Sequence, residues 1–222
     1  MAHAPTLRST DHELRLTMTY EEFLNSEMSE THAEWVDGEV TVFMPPTERH
    51  ADVTLFLSML LALYAGTFGL GKVFTAPFEM RVRPDRSFRE PDVLFVARRH
   101  LDRLDGNRVN GPADLVVEVI STSSVHRDRV VKFAEYQMAG VPEYVMVDSR
   151  AGEHFLELFR LSADGLYRSV AADRFGRLHF ETLPGFWLDV SWLRQESLPD
   201  PLHALATIAP DRFGMFASDD VG

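Results

Sequence analysis

The sequence predicts an α/β protein: a mixed β-sheet flanked by helices, followed by a C-terminal β-meander. Three observations carry this. A strand–helix–strand unit from Asp114 to Val147 implies a parallel strand pair joined by a crossover helix. Strand-like and helix-like runs alternate along the chain instead of segregating into halves. Finally, 222 residues of which 45% are hydrophobic suit one large core better than two.

Residues 1–17 read as a mobile leader. They lack the apolar stretch of a secretory signal, so a cytoplasmic protein is expected. Thr19-Tyr-Glu-Glu22 is a capping box and starts a short helix ending near Ser26. Ala33 to Met44 reads as two strands turning at Asp37-Gly38, and Pro45-Pro46 closes that unit. A helix follows from Glu48 to Phe68. Its uncharged stretch from Val53 to Leu70 approaches membrane-spanning length, but Thr54, Ser58, Thr67 and the glycines 66, 69 and 71 argue against a span. A helix covered on two sides, by a sheet and by a second subunit, is the expectation.

Strands are expected over Val73–Val82, broken at Pro77, and over Asp92–Val96, entered through Pro91. Asp114–Ile120 is a buried strand carrying a carboxylate. Ser121–Ser124 offers N-caps for a helix from Val125 to Ala139, stopped by Gly140. Glu143–Val147 is the next strand. Residues 153–161, 166–171 and 177–181 form the meander. The main domain is thus expected over residues 18–193, with 194–222 as an acidic, proline-containing extension.

Composition removes several functions. Without cysteine there is no disulfide, no thiolate metal site and no thiol nucleophile. The net charge of −12 opposes non-specific nucleic-acid binding. That charge is uneven, since the window Arg81–Lys132 is net basic and the remainder strongly acidic. Esterase-elbow, zinc-protease and phosphate-loop motifs are missing. Gly66-Thr-Phe-Gly-Leu-Gly71 follows a helix instead of opening one, which removes a dinucleotide reading.

What remains is Glu118, a carboxylate inside an apolar strand. Its burial is costly unless a cation, metal or donor group compensates. Period two places it on one face with Asp114, Val116 and Ile120. Asp92 stands at the head of another strand. If the two strands are neighbours, both carboxylates meet at one sheet edge, a suitable pair for Mg²⁺, with Mn²⁺ as a substitute. The plainer alternative has Asp92 capping a turn and Glu118 paired with arginine.

Pro91-Asp92 followed by Glu118 within Asp-Leu-Val-Val-Glu-Val-Ile resembles the PD-(D/E)XK nuclease superfamily, and within it the Uma-two family of restriction-endonuclease-like proteins. Further motifs share that resemblance: Glu34-Trp-Val-Asp-Gly-Glu39, Arg49-His50, Asp128-x-x-x-Lys132-x-x-x-Tyr136, Gly140-Val-Pro-Glu-Tyr144 and Leu183-Pro-Gly-Phe186. It spans roughly residues 18–193. It implies a restriction-endonuclease-like core and metal-dependent cleavage of nucleic acid, DNA foremost, with Asp92 and Glu118 as metal ligands. The superfamily lysine two residues after the glutamate is here Ile120. Lys132 is the natural replacement, expected to point at Glu118 while Ile120 packs under the crossover helix; an Asp128–Lys132 surface pair is the alternative. Glu34 is either an extra site acid or a solvated strand residue. His50 caps a helix or contacts phosphate, and Tyr136 packs. An apolar excess on the helix at 48–68 predicts a homodimer. The competing function is an inactive nuclease-fold module for binding or assembly.

Overall fold

The computed structural model describes residues 8–10, 13–30, 33–43, 46–83, 87–121, 125, 127–150 and 155–216. Strands β1 (Arg8–Thr10) and β2 (Glu13–Thr17) precede helix α1 (Tyr20–Leu24). Thr19 caps α1 through the full reciprocal box with Glu22. The hairpin β3 (Ala33–Val36) and β4 (Glu39–Phe43) turns at Asp37 and Gly38, both at positive φ, as the tight hairpin turn requires. Next come α2 (Glu48–Thr67), β5 (Gly71–Thr75), β6 (Glu79–Arg81), β7 (Phe88–Arg89), β8 (Val93–Ala97), β9 (Leu104–Asp105), β10 (Arg108–Val109) and β11 (Leu115–Ile120). The crossover contains a π-helical stretch (Arg127–Lys132) running into α3 (Phe133–Ala139), and Gly140 ends it in the left-handed conformation. Strands β12 (Glu143–Asp148), β13 (Phe155–Leu161), β14 (Tyr167–Val170), β15 (Arg177–His179) and β16 (Trp187–Asp189) lead to α4 (Pro201–Ile208).

The frame is a six-stranded mixed sheet in the order β14-β13-β12-β11-β8-β5. β11 pairs β12 in parallel and β8 antiparallel. The period-two alternation of β11 sorts its side chains between two cores. Leu115, Val117 and Val119 join α2 and α4 on one face, while Val116 and Ile120 meet Tyr136 and Val141 on the other. A smaller sheet, β1-β2-β4-β3, packs around Tyr20, Val40 and Phe88.

Four expectations change. Arg8–Thr10 and Glu13–Thr17 of the expected leader are strands. β2 pairs β4 and buries Leu16 beside Val40, a pattern of alternation too short to stand out alone. The first half of the crossover helix is π-helical, and Asp128 and Lys132 within it are both buried. The proposed caps at residues 122–124 lie outside the described residues. The third meander strand leaves the sheet: Asp173 accepts from the amides of Phe175 and Arg177, and β15 then pairs with β16.

The fourth change concerns the segment after Leu193, which enters the main core. Asp200 caps α4 by accepting from the amides of Leu202 and His203. Leu205 and Ile208 then join the core that holds α2. Arg49 on α2 fastens the approach, donating to the carbonyls of Leu193, Gln195 and Glu196. Much of the second cover expected for α2 therefore comes from its own chain. By length and composition α2 is able to cross a bilayer, yet Val53, Phe56, Leu57, Leu60, Leu61 and Tyr64 are core residues here.

Candidate active site

The site forms where β8 begins and β11 nears its end. In the antiparallel register Val117 lies opposite Val93, so one step further Glu118 meets Asp92. Asp92 Oδ2 accepts the Val119 amide proton at 2.7 Å, fixing the carboxylate against the strand end. The crossover helix supplies two donors to Glu118 Oε1: Lys132 Nζ at 2.9 Å and the Tyr136 hydroxyl at 2.6 Å. Lys132 Nζ also lies 3.2 Å from Glu34 Oε1 and 3.7 Å from Asp128 Oδ1. Ile120 is fully buried in the cluster containing Tyr136.

All the residues singled out from the sequence thus occupy one neighbourhood. Glu34 is buried, which removes the solvated reading. His50 does not cap α2 with its side chain. Thr47 does that, accepting the His50 amide, and the His50 ring places Nε2 3.5 Å from Asp92 Oδ1. Tyr136 is both packed and a donor. Glu118 pairs with lysine, not arginine.

Charge dominates the chemistry. Burial, reinforced by Asp92, Asp128 and Glu34 and opposed by Lys132, pushes the Glu118 carboxyl up to about 8. The Lys132 ammonium is held above its ordinary value, because Glu118, Glu34 and Asp128 together outweigh its burial. Burial resists ionisation of Asp92, but His50, Lys132 and the Val119 amide hold it below the usual carboxylate range. Tyr136 is pushed well above 10 by burial and by Glu118, so it remains a donor.

The sequence reading missed the supports behind this cluster. Arg89 donates to Glu34 Oε2 at 2.7 Å and grips Glu135 through Nε at 2.7 Å and Nη2 at 3.0 Å. The Glu90 amide donates to Glu34 Oε1 at 3.1 Å. No local periodicity marks Arg89 or Glu135. The nearest signal was lysine usage: among 22 lysines and arginines, the only lysines are Lys72 and Lys132.

The donor set suits a hard cation. It is all carboxylate oxygen at the strand ends, has no thiolate, and is short of positive charge around Glu118. Among the described residues no three acidic or histidine side chains already form a cage. Asp92 and Glu118 are therefore the pair that would hold such an ion, with water and phosphate oxygens completing its shell.

A sheet-and-helix nuclease fold with acids and a lysine at one sheet edge is the class these features define. The chain matches the Uma2 family, described as "Putative restriction endonuclease", over residues 20–191, and it belongs to that family. A curated relative, the uncharacterized protein sll1609 of Synechocystis sp., is 26% identical over 133 residues, covering 59% of this chain and 75% of that one. The crystal structure of a putative nuclease of the DUF820 group from Anabaena variabilis is similar in fold. Its TM-score is 0.65 at 14% identity, covering 79% of this chain and 97% of that chain.

Proposed function

We propose that the protein is a metal-dependent endonuclease that hydrolyses phosphodiester bonds, with DNA as the favoured substrate. The observation that supports this most is the meeting of Asp92, Glu118 and Lys132 at one strand edge. Asp92 and Glu118 would hold Mg²⁺ or Mn²⁺, which polarises the scissile phosphate and lowers the pKa of a bound water. Lys132 reaches Glu118 and is long enough to place its ammonium on a phosphate oxygen or the attacking water. Tyr136 fixes the orientation of the Glu118 carboxylate. Burial of the cluster strengthens each of these electrostatic contacts.

A cleavage assay on single- and double-stranded DNA and RNA, with Mg²⁺, Mn²⁺ or EDTA, tests this. Metal-dependent cleavage is the expected result, and no cleavage of any substrate would reject the reading. The second reading, an inactive binding or assembly module, draws on the triple engagement of Lys132 by Glu118, Glu34 and Asp128. Binding without metal-dependent cleavage would select it.

The active unit under this proposal is a homodimer. Leu55, Met59 and Leu63 on α2, with Phe68 just past its end, remain exposed after α4 has covered its share. Light scattering at micromolar concentration should give twice the chain mass of 25.2 kDa; a monomer would end this part of the proposal.

A further inference from the structure

Arg89 lies behind the site and donates to neither Asp92 nor Glu118, yet it ties β3, which supplies Glu34, to the helix that supplies Lys132 and Tyr136. It ends β7, which pairs antiparallel with β6, and stands three residues before Asp92 in Phe88-Arg-Glu-Pro-Asp92. Its guanidinium reaches forward to Glu34 on β3 and sideways to Glu135 on α3. Glu34 in turn meets the Lys132 ammonium at 3.2 Å. Glu135 sits on the helix that carries Lys132 and Tyr136, one position before Tyr136. The result is one continuous ionic chain: Glu135, Arg89, Glu34, Lys132, Glu118.

All five of these side chains are buried, with Glu34 at 0% and Arg89 at 7% side-chain exposure. A planar guanidinium offers donors in a fixed fork, so it can grip Glu135 with two N–H groups and still send a third to Glu34. Lysine at the same place would offer a single rotating head. Glu34 has one oxygen turned to Arg89 and the other shared by Lys132 and the Glu90 amide. Its position therefore fixes where the Lys132 amine is drawn.

We propose that Arg89 is a positioning residue: by clamping Glu34 and Glu135 together it sets the Lys132 amine against Glu118. This rests on the proposed catalytic role of Lys132 only for its consequence in cleavage; the clamp itself is testable without activity.

The scarcity of lysine supplies the test, because Lys72 and Lys132 are the only lysines and Lys72 is exposed. Reductive methylation of the folded full chain, quantified peptide by peptide, reports Lys132 against Lys72 as an internal standard. The variants are Arg89→Met, Arg89→Lys, and Arg160→Met as a remote control. Arg160 serves the buried Glu143 at the other end of β12, so its loss matches the electrostatic insult without touching the chain of ion pairs. Without the fork on Glu34 and Glu135, Glu34 no longer holds the amine in place, and Lys132 labelling relative to Lys72 should rise by about tenfold or more in Arg89→Lys and Arg89→Met. Arg160→Met should leave the ratio unchanged. Should Arg89→Met fail to fold, Arg89→Lys, which keeps the charge and loses the fork, carries the test.

Where the wild type cleaves, Arg89→Lys should lower kcat on the order of a hundredfold, the cost of misplacing a reacting group by ~1 Å, with KM unchanged. A labelling ratio within twofold of wild type in folded Arg89→Lys would overturn the proposal. So would an equal rise in Arg160→Met, or a loss of activity carried wholly by KM. A wild type that cleaves nothing would reject the nuclease reading alone, leaving the labelling to decide the clamp.

Discussion

The central sheet buries acids at both of its ends and treats them differently. At one end Asp114 accepts from the Ala97 amide at 2.7 Å and from Arg99 at 3.0 Å, with His100 Nδ1 also at 3.0 Å. Beside it Glu143 accepts from Arg160 and from the amides of Glu181 and Thr182. Each carboxylate there is met by donors. At the other end Glu118 has two donors of its own but shares its surroundings with Asp92, Asp128 and Glu34. Asp114 and Glu118 even lie on the same face of the chain, four residues apart. A buried acid therefore does not mark a site by being buried. The balance of donors against like charge does.

The largest effect that bears on this contrast is loss of cleavage. Asp92→Asn and Glu118→Gln keep side-chain volume and remove the charge that would hold a cation. Each should take cleavage below detection with the circular dichroism spectrum intact. Wild-type turnover by either variant would dissolve the distinction between the two ends.

At the saturated end the expected effect is on stability. Asp114→Ala strands the buried Ala97 amide and should cost about 1–3 kcal/mol in urea denaturation. Cleavage per folded molecule should stay at the wild-type level. A selective loss of turnover would move Asp114 into the machinery.

A smaller effect couples pH to metal. The folded Glu118 carboxyl titrates at about 8, against an ordinary value of 4.5. Between those values the folded state keeps a proton that the unfolded chain has released. Metal-free stability should therefore fall as pH rises from about 4.5 to about 8. Mg²⁺ held by Glu118, as proposed, would relieve that loss, so its gain in Tm should be larger at pH 8 than at pH 6. Equal gains would remove Glu118 as a ligand.

The smallest effect concerns Glu90. Burial, with Glu34 and Glu79 nearby, pushes its carboxyl up to about 9, so it is protonated at neutral pH. Its contribution is likewise lost as pH climbs from the ordinary value toward 9. Glu90→Gln should be nearly neutral at pH 6 and more stable than wild type at pH 9. A urea midpoint difference that does not change between those two conditions would contradict this.

Much of the frame is legible locally. The box at Thr19 and Glu22, the turn at Asp37-Gly38 and the strand 115–120 each depend on residues a few positions apart. The meeting of Asp92 with Glu118 needed one more fact, which strands are neighbours, and the sequence offers that only as a condition. The burial of Glu34 and the Arg89–Glu135 pair were not readable, since a guanidinium does not announce which distant carboxylate it will meet. The strand at Glu13–Thr17 is five residues long, and its partner β4 lies beyond α1 and β3. The π-helical stretch escaped because helical periodicity from Val125 to Ala139 is satisfied nearly as well by an α-helix.

The separation of these partners along the chain has a consequence for timing. Lys132 is 14 residues from Glu118, Asp92 is 27 from Val119, and Arg89 is 46 and 55 residues from its two carboxylates. Closing such loops precedes any reward from the contacts they allow, so the constellation exists only after the hairpin, the central sheet, the β6–β7 pair and the crossover helix have docked. A nascent chain that has not yet emitted Glu135 lacks the means to aim its amine. The proposed site is therefore incomplete until folding is complete, and local unfolding of any one contributor takes it apart again.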